Sequence, residues 1–200
     1  TGAGRGLSQT THYPDCNEAF SPYKVGMHRH TPEIEQTLSK LAGKKIKVTF
    51  VPHLLPVNRG ILATVYADLK EGVTYGEIRK AYEDYYKDEF FIRLLDDGKC
   101  ADIHNVRYSN FCDISLHFDN RARKLVACAA IDNMVKGAAG QAIQNMNRAE
   151  QRFIQNEGRE PENHELAALL EMPAARVSAM RKMASQSISL QAPLNSDEDG

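Results

Sequence analysis

The spacing of apolar residues along the chain changes repeatedly, and each change predicts an element. From Thr31, Ile34, Leu38 and Leu41 fall on one face of a helix that Thr31 can cap, Pro32 can begin and Gly43 stops. Lys45 to Val51 alternates, with Ile46, Val48 and Phe50 against Lys45, Lys47 and Thr49, the pattern of a half-buried strand. The next stretch, PHLLPVNRG, is broken by Pro52, Pro56 and Gly60 and reads as a loop; Gly60 to Leu69 resumes as a strand. Thr74 with Glu77 predicts a capping box, and Ile78, Ala81, Tyr82 and Tyr85 form the apolar stripe of the helix it starts. Phe90 to Leu95 is a short strand. Cys112, Ile114, Leu116 and Phe118 alternate with Asp113, Ser115 and His117, and Asp119-Asn120 turns into a strand from Lys124 to Ile131. That strand is apolar on both faces, which predicts a central position. Asp132-Asn133 then opens a helix carrying Met134, Val135, Ala138, Ala139, Ala142, Ile143 and Met146 on one side. Gly137, Ala138 and Gly140 let a sheet or a ligand approach its first turns.

After Asn147 no strand pattern remains. Helices are predicted over Arg148 to Glu157, Asn163 to Leu170 and Ala174 to Ala184, the last two separated by Glu171-Met172-Pro173 in the manner of a helix-turn-helix. The expected fold class is therefore an α/β (α+β) mixed-sheet domain with flanking helices, residues 1–147. A small three-helix, helix-turn-helix-like module follows over 148–200, and its polar, acidic end from Gln186 to Gly200 is expected to be mobile.

Composition narrows the class of protein. Of 200 residues 42% are hydrophobic and 26% charged, enough for one good core and a helical appendage. The net charge of -1 argues for neither nucleic acid nor a membrane surface as a partner. Residues 148–200, with 6 basic and 9 acidic side chains, would not grip DNA by charge alone. No apolar run approaches the roughly 20 residues that span a bilayer, and no export signal opens the chain, so the expected location is the cytoplasm. The opening at Thr1 in a Gly-rich turn is that of an excised segment. Its GAGRG lacks the flanking strand and helix of a dinucleotide fingerprint. Cys16, Cys100, Cys112 and Cys128 contain no CxxC pair, which signals neither a zinc knuckle nor a disulfide framework; Cys112 and Cys128 read as core thiols.

The densest chemistry lies at Tyr23, His28, Arg29 and His30, with His53 and Arg59 in the proline-broken loop. Imidazoles exchange protons near neutral pH and guanidinium forks hold carboxylates and phosphates, a combination suited to an anionic substrate undergoing proton-coupled chemistry. A bare HxH also fits one structural histidine beside a solvated Arg29. A zinc site from His28, His30 and His53 lacks supporting ligand spacing, and no metal is expected.

Three stretches, GMHRHTPEIEQ, FVPHLLPVNRGILATVYADLK and DNMVKGAAGQAIQNMN, occur in one order between Gly2 and Asn147, and together they resemble the C-terminal half of N-acetyl-gamma-glutamyl-phosphate reductase. The resemblance implies NADPH-dependent reduction of an acyl phosphate through a cysteine thioester, as in aspartate-semialdehyde dehydrogenases. It places the general acid/base at His30, with His28 as the alternative, substrate contacts at Tyr23, Arg29, His53 and Arg59, and the nicotinamide end of NADP against Asp132, Asn133, Gly137 and Gln141. The opening GAGR resembles a loop after the family's catalytic strand. The family's Gly-Cys-Tyr-Pro nucleophile motif and Rossmann domain do not occur in the sequence, so no complete activity is expected; the alternative is a subunit fragment of an active reductase, complemented by another chain. Self-association through the sheet domain is implied.

From Arg148 onward, the GREP turn, the ELA helix, the MP turn and the ISLQAP exit resemble region 3 of bacterial primary sigma factors. This implies RNA polymerase core and promoter DNA as partners, with Arg176, Arg181 and Lys182 as candidate phosphate contacts; a solvated face over Val177, Met180 and Ala184 reads the same residues without DNA. Glu162 stands where a capping Thr is expected, so the cap is expected at Asn163. The whole reads as a chimera joined near Asn147-Arg148.

Overall fold

The computed structural model describes residues 6–189, with side chains described through Ala184. The opening GAGR and the acidic tail with its ISLQAP exit lie outside the described residues, apart from the backbone up to Ser189. The chain divides into two compact units, Thr1–Asn58 and Arg59–Gly200.

In the first unit, α1 (Tyr13–Cys16) precedes β1 (Ser21–Pro22), α2 (Thr31–Ala42) and β2 (His53–Leu54). α2 ends where the pattern predicts, at Gly43 with φ 63, a left-handed value that a glycine adopts without a Cβ clash. Its cap differs from expectation: His30 is the N-cap and Thr31 the first helical residue, whose buried Oγ1 has no partner among the described residues. The expected strand at Lys45–Val51 does not form. Its backbone is tied to α2 instead, Ile46 N–H donating to Ser39 Oγ (2.8 Å) and Val48 N–H to Glu35 Oε1 (3.3 Å), while Lys47 Nζ meets Glu35 at 2.6 Å. Alternation reports one-sided burial, but a strand also needs a ladder partner, and side-chain acceptors satisfy this segment. A two-residue antiparallel ladder appears where a loop was expected, pairing Ser21 with Leu54 and Pro22 with His53.

The second unit contains β3 (Ile61–Asp68), α3 (Tyr75–Tyr86), β4 (Ile92–Leu94), β5 (Cys112–Asp119) and β6 (Lys124–Ile131), then α4 (Gly140–Glu157), α5 (Asn163–Leu169) and α6 (Ala174–Ser189). The four-stranded sheet has the order β3-β6-β5-β4, antiparallel except for the β4–β5 pair. β6 is interior, as its two apolar faces require. α3 is opened by the predicted capping box and lays Tyr75, Ile78, Tyr82 and Tyr86 on Ile114, Leu116 and Leu125. The opposite side packs Ala101, Val106 and Ala130 together. β3 is exposed along its whole length.

A π-helical turn, Val135–Ala139, leads into α4, which runs unbroken through Asn147 and Arg148 to a left-handed stop at Gly158. The separate helix expected from Arg148 is thus the second half of α4. Met146, 1% exposed, packs with Leu166, Ala167, Val177 and Met180, so the sheet-proximal half of α4 supplies the centre of the three-helix core. Gly140 is needed at the start of the helix: a Cβ there would lie 2.5 Å from Asn110 Oδ1 and 2.7 Å from Val135 Cγ1.

The N-cap of α5 is Glu162, not Asn163, because its backbone N–H donates to Glu165 Oε2 at 2.8 Å. Arg159 grips the same carboxylate with two nitrogens, at 2.8 and 2.5 Å. These bonds, the Arg159 pair first, lower the Glu165 pKa from 4.5 to about 2. The carboxylate is thereby favoured in the folded state, so its contribution to stability is full above pH 4.5 and drains away as pH falls towards 2. Helix content followed by circular dichroism is expected to drop through that window more steeply in the native chain than in Glu165→Gln. Superimposable titrations would contradict this role for the pair.

Candidate functional site

In the first unit the loop from Tyr23 to Arg29 reverses through Lys24 (φ 46) and Gly26 (φ 69) and delivers His28 inward. His28 is 9% exposed, with Tyr23, His30 and Phe50 edge-on around it at ring separations of 5.5, 5.0 and 5.2 Å. Its Nδ1 accepts the His30 backbone N–H at 3.2 Å, so the neutral ring carries its proton on Nε2. Burial pushes the His28 pKa down, and His30, Lys24 and Arg29 push the same way. The ring is a neutral, positioned group near pH 7.

His30 differs. Its side chain is half exposed at the N-terminus of α2, and Nε2 lies 4.0 Å from Glu33 Oε2. An accessible imidazole with a carboxylate beside it has the arrangement of a proton-exchanging group. Tyr23 is half-buried and held by its backbone N–H to Pro52 O (3.0 Å); Arg29 is exposed. His53 belongs to the β1–β2 ladder, where it stacks on Phe20 at 5.1 Å and donates from Nδ1 to Val51 O at 3.2 Å. The structure thus gathers Tyr23, His28 and His30 and gives His53 separate neighbours. Among the described residues no group of three or more His, Cys, Asp or Glu could hold a metal ion.

In the second unit the centre is Asp132, which is fully buried. Oδ2 accepts from Tyr108 N–H (2.7 Å) and forms an ion pair with Arg59, whose Nε lies 3.2 Å away, and Oδ1 accepts from Met134 N–H (2.9 Å) and Val135 N–H (3.2 Å). Burial alone would raise its pKa, but the N–H donors of Tyr108 and Met134, the Arg59 charge and the Val135 N–H outweigh it and hold the carboxyl below its usual value. Asn133 Oδ1 accepts from Gly60 N–H at 2.8 Å. Gly60 has φ 119, and a Cβ there would come within 2.9 Å of Ile103 Cβ. Asp132 and Asn133 therefore act by holding the Arg59-Gly60 corner and the 135–139 turn.

For a nicotinamide ring this leaves Gly137 and Gln141 as the accessible members of the four nominated residues. Gly137 presents no Cβ, and among the described residues Gln141 Nε2 donates to Asn145 Oδ1. The Asp132 carboxylate and the Asn133 carboxamide are committed to contacts inside the second unit. Sequence reasoning missed Tyr108, whose ring lies 4.5 Å from the Arg59 guanidinium carbon. It sits in a polar stretch without periodicity, and only its left-handed φ of 61 sets it apart. Cys112 is half-buried in the α3-facing layer, and burial raises its thiol pKa, the opposite of an activated nucleophile.

In the helical module, Arg176 and Lys182 are exposed. Arg181 is instead an internal clamp, donating to Asn163 Oδ1 (2.8 Å), Pro161 O (2.9 Å) and the Glu150 carboxylate. Those bonds account for its guanidinium without a phosphate.

The chain matches the family described as semialdehyde dehydrogenase, dimerisation domain, over residues 1–133, and sigma-70 region 3 over residues 141–200. It is 61% identical over 150 residues to an N-acetyl-gamma-glutamyl-phosphate reductase of Brachyspira hyodysenteriae and 57% identical over 147 residues to that of Clostridium beijerinckii. Each match covers 74% of this chain but only 43% of the relative, so the chain spans less than half the length of these reductases. The crystal structure of aspartate semialdehyde dehydrogenase II from Vibrio cholerae shares the fold at a TM-score of 0.52. It is 14% identical, and the likeness covers 70% of this chain and 42% of that one. Through residues 1–133, the chain belongs to the semialdehyde dehydrogenase dimerisation-domain family.

Proposed function

We propose that the chain joins a fragment of N-acetyl-gamma-glutamyl-phosphate reductase, residues 1–147, to a sigma region 3-like module, residues 148–200, acts in the cytoplasm, and has no complete activity of its own. The observation that carries this reading is the 61% identity to the reductase, over a stretch that contains His28, His30, Arg59 and the Asp132–Gln141 turn. In the reading, His30 Nε2 exchanges the proton and His28 and Tyr23 position it; Arg29 and His53 are the anion contacts of the first unit, and Arg59 is that of the second. NADP, its nicotinamide end against Gly137 and Gln141, would supply the hydride. None of the four cysteines stands in Gly-Cys-Tyr-Pro, so the reading assigns no attacking thiolate among residues 1–200. Purified alone with NADPH and N-acetyl-gamma-glutamyl phosphate, the chain is expected to consume no NADPH; substrate-dependent oxidation would overturn the reading.

Self-association belongs to the same proposal. Ile61, Leu62, Val65 and Tyr66 of the edge strand β3 are 47 to 68% exposed, a run of apolar surface that a second copy can cover. Light scattering is expected to give a dimer mass, and Val65→Lys with Tyr66→Lys to give a monomer. A native chain that is already monomeric would remove this part.

The match over residues 141–200 favours a second reading, in which the module docks on RNA polymerase near promoter DNA. Retention of the chain on immobilised core polymerase supports it, and no retention removes it. With Arg181 occupied internally, the DNA contacts in this reading fall to Arg176 and Lys182.

A further inference from the structure

We propose that Lys136 is a site of covalent acylation by small acyl phosphates: its half-buried amine is held by one amide oxygen and one aromatic ring, with no carboxylate beside it to fix the ammonium form. Lys136 lies in the π-helical turn before α4. Its Nζ donates to Gln144 Oε1 at 2.8 Å and stands 5.5 Å from the centre of the Phe91 ring. The same Gln144 oxygen accepts from Asn110 Nδ2 at 3.0 Å, so both of its lone pairs are spent. Among the described residues no carboxylate comes within ion-pairing distance of this amine, and the Glu89 carboxylate is taken by Arg148.

An ammonium carries three N–H donors, and one acceptor with one ring face satisfies them poorly. A neutral amine has only two to place and keeps a lone pair for attack. The titratable groups around Lys136 come from three directions: Cys112 on β5, Glu89 beyond the end of α3 and Arg148 on α4. Burial is the largest influence and pushes the Lys136 pKa down; Cys112 and Glu89 pull it up, Arg148 pushes it down, and the balance lies below the usual lysine value. Desolvation beside another cation is a general route by which a lysine becomes a nucleophile near neutral pH. Cys112 does not compete for the acyl group, because burial raises its thiol pKa. In the reaction the Nζ lone pair attacks the acyl carbon, the carbon–oxygen bond to phosphate breaks, phosphate departs with that electron pair, and Nζ releases a proton to solvent. The amide formed keeps one N–H, which still donates to Gln144 Oε1, so acylation strands no acceptor. The site goes beyond the reductase reading and stands without it.

The test incubates the full 200-residue chain with acetyl phosphate and follows each lysine by peptide mass spectrometry. Lys80 and Lys99 are the internal references, since each meets a carboxylate, at 3.0 and 2.6 Å. At about pH 7.5 Lys136 is expected to be acetylated several-fold faster than either, and the lead is expected to vanish at about pH 10.5, where ordinary lysines also lose their protons. Gln144→Glu places a carboxylate on the amine and should slow Lys136 about tenfold at the lower pH, with Lys80 and Lys99 unaffected. An unchanged melting temperature checks the fold of that variant; if it does not fold, the ranking and its pH dependence in the native chain decide alone. Lys136 modified no faster than Lys80 and Lys99 at about pH 7.5, an undiminished lead at about pH 10.5, or a native rate in folded Gln144→Glu each overturns the site. Acetyl phosphate is not the substrate of the reductase reading, so either result leaves that reading where it stands.

Discussion

Met146→Ala is expected to cost the α4–α5–α6 core about 2–5 kcal/mol, because it empties a position that is 1% exposed and surrounded by Leu166, Ala167, Val177 and Met180. Ala142 and Ala149 flank it on the same side of α4 and are too small to fill the gap. In a unit of this size the loss lowers the melting temperature by roughly 10 °C or more. Thermal unfolding followed by circular dichroism measures it. Met146→Leu, nearly conserving volume, is expected to cost less than about 1.5 kcal/mol. The substitution is informative because Met146 lies where the reductase match and the sigma-70 region 3 match overlap, and its side chain packs into the helical core. A shift of only a degree or two would mean that the helical module stands without the helix that precedes it.

Asp132→Ala is expected to be comparably severe, about 3–5 kcal/mol, for a different reason. It strands the Arg59 charge in a site where that residue is 17% exposed, and it leaves the backbone N–H groups of Tyr108 and Met134 without their acceptor, while Val135 N–H keeps the backbone oxygen of residue 132. Urea denaturation is expected to move to a clearly lower midpoint with an unchanged slope. Asp132→Asn keeps one acceptor oxygen and should lose less. A near-native midpoint for the alanine variant would show that Arg59 and the 135–139 turn hold their places without this carboxylate.

Much of the fold is legible in the sequence wherever one element's own residues decide it. The stop of α2 at Gly43, the Thr74–Glu77 box of α3 and the two-faced apolar run of β6 are local signals, and all three elements form as those signals predict. The failures are non-local. Lys45–Val51 has the alternation of a strand, but its donors find Ser39 and Glu35 of a neighbouring helix before any ladder. Asn147-Arg148 looks like a boundary because the two resemblances meet there; α4 passes through it because its apolar face, with Met146 and Ala149, continues without interruption.

The candidate site shows the same division. Histidines and arginines in a dense motif announce proton exchange and anion binding, yet the side chains that orient them are invisible in the sequence. His28 and His30 are equivalent letters two positions apart, and only burial separates a ring with a lowered pKa from one half exposed beside Glu33. Tyr108 carries no pattern at all, and Arg181 on an amphipathic helix reads as a phosphate contact until its three internal acceptors are seen.

The claim that residues 1–147 are the proton-handling half of a reductase is tested most directly by a segment exchange. These residues would replace the matching stretch of the intact Brachyspira hyodysenteriae reductase, which supplies the rest of the protein. The hybrid's NADPH-dependent turnover of N-acetyl-gamma-glutamyl phosphate would then be measured with and without His30→Ala. Turnover is expected in the hybrid, with a loss of about 10²- to 10⁴-fold in the variant; a folded hybrid that does not turn over, or one indifferent to His30→Ala, would contradict a proton-handling role for these residues.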